Sequence, residues 1–349
     1  MRRLPIYFLV DVSESMVGMP IDQVQDGMRT IIQSLRVDPY ALETVFVSII
    51  VFAGKAKVLS PLTELYRFYP PVFPIGGGTS LGKGLECLMD DIDRNVRKNT
   101  TESKGDWKPI VFLFTDGNPT DSYAAAFRKW NERYRKHCNL VAVSIGENVN
   151  ILTLAQITND VLLLKEPDAE SFSKFFRWVT DSIRTSSISV GENDSSELKL
   201  APTTGINLEK MDMREVKQPV DVDENFVVLH GRCSTTRKEY LVKYARQWED
   251  LKRGERYVNG GFNLVGAYPI DSESYEELAD NGSARVNSRQ LTGVPACPCC
   301  GNQLGVVVCE CGNVFCVGER AVNECPWCGL KGELGSGDGA GFDLTRGLG

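Results

Sequence analysis

Two runs of consecutive apolar residues constrain the fold of this chain more than any other feature. Residues 6–10 read Ile-Tyr-Phe-Leu-Val and residues 110–114 read Ile-Val-Phe-Leu-Phe, without the polar alternation of a strand that faces water. Such runs are typical of parallel strands that helices cover on both faces. Segments 21–35, 81–96 and 172–183 have apolar residues at helical spacing and can supply those helices. The sequence therefore predicts a doubly wound, mostly parallel α/β sheet.

Further β-rich segments extend this sheet. Residues 44–52, 140–145 and 161–164 have the composition of strands, and residues 57–62 are predicted as an edge hairpin. Strands and helices alternate in this way up to about residue 187, so we assign residues 1–187 to one domain. In open α/β sheets, ligands bind beyond the carboxyl ends of the strands. The residues that directly follow each strand are therefore the first place to look for a site.

Oxygen-bearing side chains stand at three of these positions. Asp11-Val12-Ser13-Glu14-Ser15 follows the first apolar run, Thr115-Asp116-Gly117 follows the second, and Gly77-Gly78-Thr79-Ser80 opens a predicted helix. Mg²⁺ prefers oxygen ligands and sheds water reluctantly, so hydroxyls with a few carboxylates suit it. The sequence thus predicts a site for Mg²⁺, or else Mn²⁺ or Ca²⁺. The predicted site residues are Asp11, Ser13, Ser15, Thr79 and Asp116.

The pattern D-x-S-x-S is weak on its own, because serine and aspartate at strand ends also cap helices. Three fragments in order, each at a predicted junction of strand and helix, are far more specific. Alternation along an extended turn places Asp11, Ser13 and Ser15 on one side. Glycines at 76–78 let the loop of Thr79 approach closely. With few carboxylates around it, the ion would keep one position open for an acidic side chain of a protein partner.

Residues 4–187 resemble a von Willebrand factor A domain. The metal-ion-dependent adhesion site (MIDAS) of that family has the pattern D-x-S-x-S, then T, then D, and all five positions are present here. The resemblance implies that the three hydroxyl residues contact the ion and that the two aspartates hold its waters. Glu14 and Ser80 lie between motif positions and inherit no role from the family.

Cysteines dominate the C-terminal third, where eight of the eleven fall between residues 297 and 328. They form Cys-Pro-Cys-Cys-Gly at 297–301, Cys-Glu-Cys-Gly at 309–312, a single Cys316 and Cys-Pro-Trp-Cys-Gly at 325–329. C-P-x-C-G is typical of a zinc knuckle, in which two thiolates face one side and glycine takes a positive φ. This spacing favours metal thiolates in a reducing cytoplasm over disulfides.

The number of thiolates decides how many zinc ions this segment can hold. Cys299 lies inside the first knuckle and is expected to point away from the metal. The remaining ligands are Cys297, Cys300, Cys309, Cys311, Cys316, Cys325 and Cys328. An eighth ligand would complete two tetrahedral sites, with Cys233 as the preferred candidate and His230 as the alternative. One or two closed, structural zinc sites are therefore predicted.

The pairing of these ligands stays open at this point. Cys297, Cys300, Cys309 and Cys311 could form a simple ribbon, or the two knuckles could share one ion.

Composition divides the rest of the chain. Residues 188–225 are rich in Ser, Thr, Asp, Glu and Pro and are predicted as a linker or arm. Residues 226–229 and 240–244 have the pattern of a β-hairpin, so residues 226–330 are predicted as a β-hairpin followed by a zinc-ribbon-like module. Residues 331–349 form a glycine-rich tail, in which Phe342 and Leu344 are the residues best suited to dock.

Several functional classes are disfavoured by composition. A net charge of −7 argues against a nucleic-acid binder, and Arg320 is the single cation between Cys297 and Cys328. The apolar runs are too short for a membrane span, and the start, which briefly imitates a signal peptide, turns polar at Asp11. Neither of the two histidines lies in a nucleophile motif, and P-loop and H-E-x-x-H patterns are lacking. We therefore expect a cytoplasmic protein that is not an enzyme.

The combination of the adhesion motif with CPCCG, CECG, FC and CPWCG resembles the TerY family of bacterial tellurium-resistance and stress-response proteins. The resemblance implies a metal-dependent interaction scaffold that partners a protein kinase and a Ser/Thr phosphatase in a phosphorylation system. Two alternatives are a von Willebrand A subunit that regulates an AAA-type ATPase and a zinc-ribbon nucleic-acid binder.

Overall fold

The computed structural model describes most of the chain. The described residues are 2–101, 103–116, 118–145, 151–164, 169–192, 201, 208–210, 224–250, 256–279, 284–317, 322–333 and 341–348. Gly117 and Arg320, most of the predicted linker and residues 334–340 of the predicted tail lie outside them. None of the described helices is long and apolar enough to cross a lipid bilayer.

Among the described residues, seven strands form the sheet of the N-terminal domain. They are β1 (Leu4–Asp11), β2 (Val45–Phe52), β3 (Ala56–Glu64), β4 (Ile110–Thr115), β5 (Asn139–Ile145), β6 (Asp160–Leu164) and β7 (Leu208–Lys210). Their order is β3-β2-β1-β4-β5-β6-β7. The five central strands run parallel, whereas β3 and β7 pair antiparallel at the two edges. The predicted doubly wound sheet is confirmed, and β3 occupies the edge expected of the predicted hairpin.

In the described part of the N-terminal domain, six α-helices accompany this sheet. They are α1 (Met19–Arg36), α2 (Pro39–Thr44), α3 (Leu81–Asn95), α4 (Ala124–Arg133), α5 (Ile151–Ala155) and α6 (Ala169–Glu192). On one face Phe8 and Phe114 pack with Phe176 of α6, and a β-carbon at Gly27 of α1 would lie 2.0 Å from the Phe176 ring. On the other face Leu113 packs with α3 and with Trp130 of α4. Apolar cores on both faces explain why β1 and β4 lack polar alternation.

The C-terminal domain is built on a second sheet. Its elements are β8 (Phe226–Arg232), β9 (Glu239–Asp250), β10 (Arg256–Pro269), α7 (Ser272–Leu278), β11 (Ala284–Asn287), β12 (Leu291–Thr292), β13 (Val306–Val308), β14 (Val314–Cys316), β15 (Val322–Glu324), β16 (Lys331–Glu333) and β17 (Asp343–Arg346). Six strands of the described C-terminal residues pair in the order β12-β10-β9-β8-β14-β13. Two small sheets, β11 with β17 and β15 with β16, flank it.

This second sheet is larger than the hairpin that the sequence predicts. The hairpin is present as β8 and β9, but the long strand β10 also pairs with β9. The register shifts between Val258 and Phe262 and again between Leu264 and Gly266. Glycines and bulges of this kind interrupt the alternation by which a strand is recognised in a sequence. The cysteine-rich segment joins the same sheet, because β14 runs parallel to β8.

Parts of the predicted linker and tail carry regular structure. α6 continues to Glu192, and β7 adds to the edge of the first sheet beside β6. Trp178 of α6 also donates a hydrogen bond of 2.8 Å to the carbonyl oxygen of Ala201. In the tail, β17 pairs with β11, with Leu344 buried and Phe342 half exposed. Leu344 therefore docks, as the sequence allows, and Phe342 remains at the surface.

Candidate metal centres

The predicted adhesion-site residues meet at the carboxyl edge of the first sheet, beyond β1 and β4. The Ser15 hydroxyl donates to Oδ1 of Asp116 at 2.8 Å and lies 2.9 Å from the Ser13 hydroxyl. Asp11 accepts hydrogen bonds from the Ser13 amide at 2.9 Å and from the Thr115 hydroxyl at 2.6 Å. Four of the five predicted residues thus form one hydrogen-bonded network. We call this part of the molecule, with the loop of Thr79, the adhesion edge.

The loop of Thr79 is fixed to the adhesion edge by its main chain. The amide of Gly76 donates to the carbonyl of Val12 at 2.9 Å, which places the loop beside Ser13. The amide of Thr79 donates to the hydroxyl of Thr120 at 2.9 Å, so the loop also contacts the chain that follows β4. The sequence motif is therefore assembled in space, with Thr79 between its two aspartate-bearing segments.

The Thr79 hydroxyl provides the test of whether these residues fit a metal ion. Thr79 is 1% exposed, and among the described residues its hydroxyl oxygen has no hydrogen-bond partner. Leaving a buried hydroxyl unpaired costs about 1–3 kcal/mol. A hard divalent cation takes such an oxygen as a ligand, and the hydroxyls of Ser13 and Ser15 have the same chemistry. The donor set of Asp11, Ser13, Ser15, Thr79 and Asp116 therefore fits a magnesium-type ion.

The electrostatics of the adhesion edge also favour a cation. Burial, reinforced by the negative charge of Asp116, raises the pKa of Asp11 to about 7, although hydrogen bonds from Ser13 and Thr115 oppose the shift. Two carboxylates close together in a buried site repel each other, and a divalent cation relieves that repulsion. The ionised form of Asp11 is therefore less stable in the metal-free site than in the site that holds a cation.

This gives a pH dependence for the metal-free protein. Because the pKa of Asp11 is near 7 in the folded state and about 3.9 in an unfolded chain, the folded protein holds this proton more tightly. Its contribution to stability is complete below about pH 3.9 and is lost as the pH rises through about 7. We expect the melting temperature of the wild type to fall relative to Asp11→Asn as the pH rises from about 4 to about 7, and the difference to level off above that. Thermal unfolding of both proteins without divalent ions measures this, and a constant difference would contradict it.

The C-terminal domain covers the adhesion edge, and the sequence does not predict this contact between the domains. All five site residues are at most 4% exposed. Lys243 donates through Nζ to the carbonyl oxygens of Ser15 and Val17, and Tyr275 donates through its hydroxyl to Glu14. Glu14, to which the motif gives no role, is thus an interdomain contact. No local pattern marks such residues, since their partners lie more than 200 positions away in the chain.

The predicted zinc ligands form two separate groups. In the first, the sulfur atoms of Cys233, Cys297, Cys300 and Cys316 all lie within 4.8 Å of one another. The Cys316 sulfur is 3.9 Å from the sulfurs of Cys233 and Cys300. A Zn–S bond of about 2.3 Å gives about 3.8 Å between sulfurs of a tetrahedral site. This quartet therefore has the dimensions of a closed zinc site.

The second quartet consists of Cys309, Cys311, Cys325 and Cys328. The sulfurs of Cys309 and Cys328 are 3.5 Å apart, and those of Cys311 and Cys325 are 3.9 Å apart. Both sequence-based pairings are wrong, because each knuckle belongs to its own quartet. Cys233, which the sequence predicts as the eighth ligand, joins the first quartet from the turn between β8 and β9.

The turns around these cysteines supply hydrogen bonds to the sulfur atoms. The amide and hydroxyl of Ser234 lie 3.3 and 3.2 Å from the Cys316 sulfur. Burial opposes ionisation of Cys233, but hydrogen bonds from Thr236 outweigh it and lower the pKa of the thiol to about 6. Gly301 and Gly329 have φ of +75° and +77°, as the knuckle pattern requires. The hydrogen bonds to Cys233 and Cys316 favour thiolates, the form that binds zinc, whereas burial raises the pKa of the Cys297 and Cys316 thiols.

The two remaining candidates have other roles. His230 lies outside both quartets, and its Nε2 atom is 3.0 Å from the carboxylate of Glu239, so Cys233 is the residue positioned as eighth ligand. Cys299 also lies outside the quartets, with its sulfur 3.9 Å from the carbonyl oxygen of Glu239. The expectation that Cys299 points away from the metal therefore agrees with the geometry.

Comparison with known families identifies both domains. Residues 6–178 match the model of the von Willebrand factor type A domain, which is the class of domain that the parallel sheet and the adhesion edge define. Residues 223–349 match the model of the TerY-C metal binding domain, which contains both cysteine quartets. The chain therefore combines a von Willebrand factor type A domain with a TerY-C metal binding domain, which is the combination that its motifs predict for the TerY family.

Solved structures similar to this chain are distant. Proximal thread matrix protein 1 from the mussel byssus is 17% identical, and the match covers 52% of this chain and 48% of that one with a TM-score of 0.38. The pilus adhesin SpaC from Lactobacillus rhamnosus GG is 14% identical, with 52% and 31% covered and a TM-score of 0.42. BatB from Bacteroides thetaiotaomicron is 12% identical, with 53% and 99% covered and a TM-score of 0.37. The match thus spans half or less of the first two proteins, and we draw no functional conclusion from it.

Proposed function

We propose that this protein is a non-catalytic, metal-dependent interaction scaffold of the cytoplasm. The observation that carries this proposal is the complete adhesion edge, in which Thr79 keeps a buried hydroxyl without a hydrogen-bond partner among the described residues. A Mg²⁺-type ion there would hold Ser13, Ser15 and Thr79 as hydroxyl ligands, with Asp11 and Asp116 placed to bind its waters. When bound, the ion supplies a Lewis-acidic contact for one carboxylate of a protein partner.

The proposed partners follow from the family. TerY-type proteins are expected to act beside a protein kinase and a Ser/Thr phosphatase in a tellurium-resistance or stress phosphorylation system. We propose one or both of these enzymes as the source of the acidic side chain. The thiolate quartets of the C-terminal domain, which we assign to zinc, support a reducing cytoplasm, because thiolate ligands must stay reduced to bind metal.

A pulldown from the native host tests the proposal. The full chain, Asp11→Ala and Ser80→Ala serve as baits in the presence of Mg²⁺. Ser80 is the matched control, since it is buried beside Thr79 but donates its hydroxyl to the carbonyl of Gly54 and has no place in the motif. We expect the wild type and Ser80→Ala to recover a kinase or a phosphatase. Asp11→Ala should recover at least about tenfold less of the same partner.

Two outcomes would count against the proposal. Equal recovery by wild type and Asp11→Ala would remove the ion from partner binding. Recovery of an AAA-type ATPase in place of the kinase or phosphatase would favour a regulatory subunit of such an ATPase.

A further inference from the structure

The C-terminal domain lies where a partner of the adhesion edge would have to bind. In open α/β sheets the ligand approaches from beyond the carboxyl ends of the strands, and on this side Lys243, Tyr275 and Leu278 contact the loops of the N-terminal domain. We propose that the C-terminal domain is an autoinhibitory occupant of the adhesion edge, held there chiefly by α7. The proposal deepens the proposed function and rests on it for the identity of the excluded ligand, a carboxylate of a protein partner.

The first support is the depth at which α7 is inserted. Leu278, at the end of α7, is 1% exposed and packs within the apolar core of the N-terminal domain, together with Ala53. Its carbonyl oxygen accepts a hydrogen bond of 3.0 Å from the amide of Lys55. The preceding residue, Glu277, pairs with Lys57 at 2.5 Å. α7 therefore bridges the two domains, because Leu278 packs in the N-terminal core while Tyr275 packs with Val17 and with Val228 and Leu241 of the C-terminal sheet.

The second support is the close approach of the C-terminal domain to glycines in the loops of the adhesion edge. A β-carbon at Gly76 would lie 2.4 Å from the Cβ atom of Leu278, and one at Gly18 would lie 2.7 Å from the ring of Tyr268. At Gly77 it would lie 3.1 Å from the hydroxyl oxygen of Tyr275. Side chains at the first two positions could not coexist with the docked domain. The loops that carry the metal-site residues thus fit the C-terminal domain closely.

The third support is the polar character of the contact. Lys243 is 3% exposed, and its ammonium group is compensated by carbonyl oxygens of the loop that contains Ser15. Tyr275 is also buried and donates to Glu14. Water can replace each of these hydrogen bonds when the domains separate, so the cost of opening is smaller than for a wholly apolar interface. The cover is therefore suited to an equilibrium between closed and open forms.

Closure lowers the apparent affinity for a partner in proportion to the open fraction. A partner that binds only the open form shifts the equilibrium toward that form. Binding in trans thus competes with docking in cis for the same edge.

Hydrogen exchange of the full chain tests the cover without any partner. Leu278→Asp places a charge in the apolar contact, and Lys243→Met removes the ammonium group but keeps most of the stem. Glu273→Ala is the matched control, because Glu273 is exposed in the first turn of α7. We expect amides of residues 12–17 and 76–80 to exchange about tenfold faster or more in the first two variants. Amides of β4 and the zinc content report whether both domains remain folded.

Two outcomes of the hydrogen-exchange experiment would contradict the proposal. Wild-type exchange at the adhesion edge in both variants would overturn the proposal. So would acceleration that appears only together with faster exchange in β4, because the cover would then not open as a separate unit.

Partner capture gives the second measurement and separates this proposal from the proposed function. Leu278→Asp is expected to recover about fivefold more kinase or phosphatase than the wild type, and Asp11→Ala in the same chain is expected to abolish that gain. Equal recovery by the wild type and Leu278→Asp would overturn autoinhibition and leave metal-dependent capture intact. If the double variant Leu278→Asp/Asp11→Ala recovered as much partner as Leu278→Asp, the ion would have no role in capture. The hydrogen-exchange experiment would still test the opening of the C-terminal domain.

Discussion

The purified protein is expected to contain two zinc ions per chain, one for each cysteine quartet. Cys316→Ser and Cys325→Ser should each reduce this content to one. Three ligands of the first quartet, Cys233, Cys297 and Cys316, are part of the apolar core of the C-terminal domain. A structural zinc site contributes about 10–16 kcal/mol, so its loss should abolish cooperative unfolding of this domain. Metal analysis and thermal unfolding of the same samples measure both effects.

Cys299→Ser is the matched control for zinc content. It changes a cysteine of the same knuckle that lies outside the quartets, so two zinc ions should remain. One zinc ion in the wild type, or one in Cys299→Ser, would contradict the assignment of ligands. Treatment with a strong zinc chelator should reproduce the effect of the cysteine variants, because the metal is part of the folded state.

Thr79→Val is expected to stabilise the protein when divalent ions are absent and to destabilise it, relative to the wild type, when they are present. Without divalent ions the variant should be more stable than the wild type by about 1 kcal/mol, since it removes a buried hydroxyl that lacks a hydrogen-bond partner among the described residues. With Mg²⁺ or Mn²⁺ at about 100 times the dissociation constant, the wild type gains about 2.7 kcal/mol and the variant gains far less. Denaturant unfolding with and without the ion measures both differences.

The control for Thr79→Val is Ser80→Ala. Its hydroxyl donates to the carbonyl of Gly54 at 3.0 Å, so the variant should lose about 1 kcal/mol with or without the ion. Its response to the metal should match that of the wild type. A metal response in Thr79→Val as large as that of the wild type would show that this hydroxyl is not a ligand.

The sequence was most informative where a residue acts within its own element. Apolar runs at β1 and β4 predicted buried parallel strands, and the residues after them form the hydrogen-bonded part of the adhesion edge. These inferences succeed because burial on both faces and the geometry of strand ends are local consequences of composition. The positive φ of Gly301 and Gly329 is equally local, because a knuckle requires it of the residue after its second cysteine.

Prediction failed where the structure depends on partners distant in sequence. The pairing of cysteines was misjudged, because β14 runs beside β8 and thereby brings Cys316 to Cys233. Spacing along the chain does not encode that neighbourhood. Burial of Lys243 was equally hidden, since a lysine in a strand is ordinarily expected at the surface. The carbonyl oxygens that make its burial tolerable belong to the other domain.

The order in which the two domains leave the ribosome gives the cover a further consequence. Domains generally fold as units during synthesis, the N-terminal one first. The parallel sheet and its five metal-site residues are complete before Lys243 and α7 have been translated. Cys316 must follow before the first zinc quartet can close around Cys233. The adhesion edge can therefore form before its cover has been made, and a cation can reach the edge during synthesis.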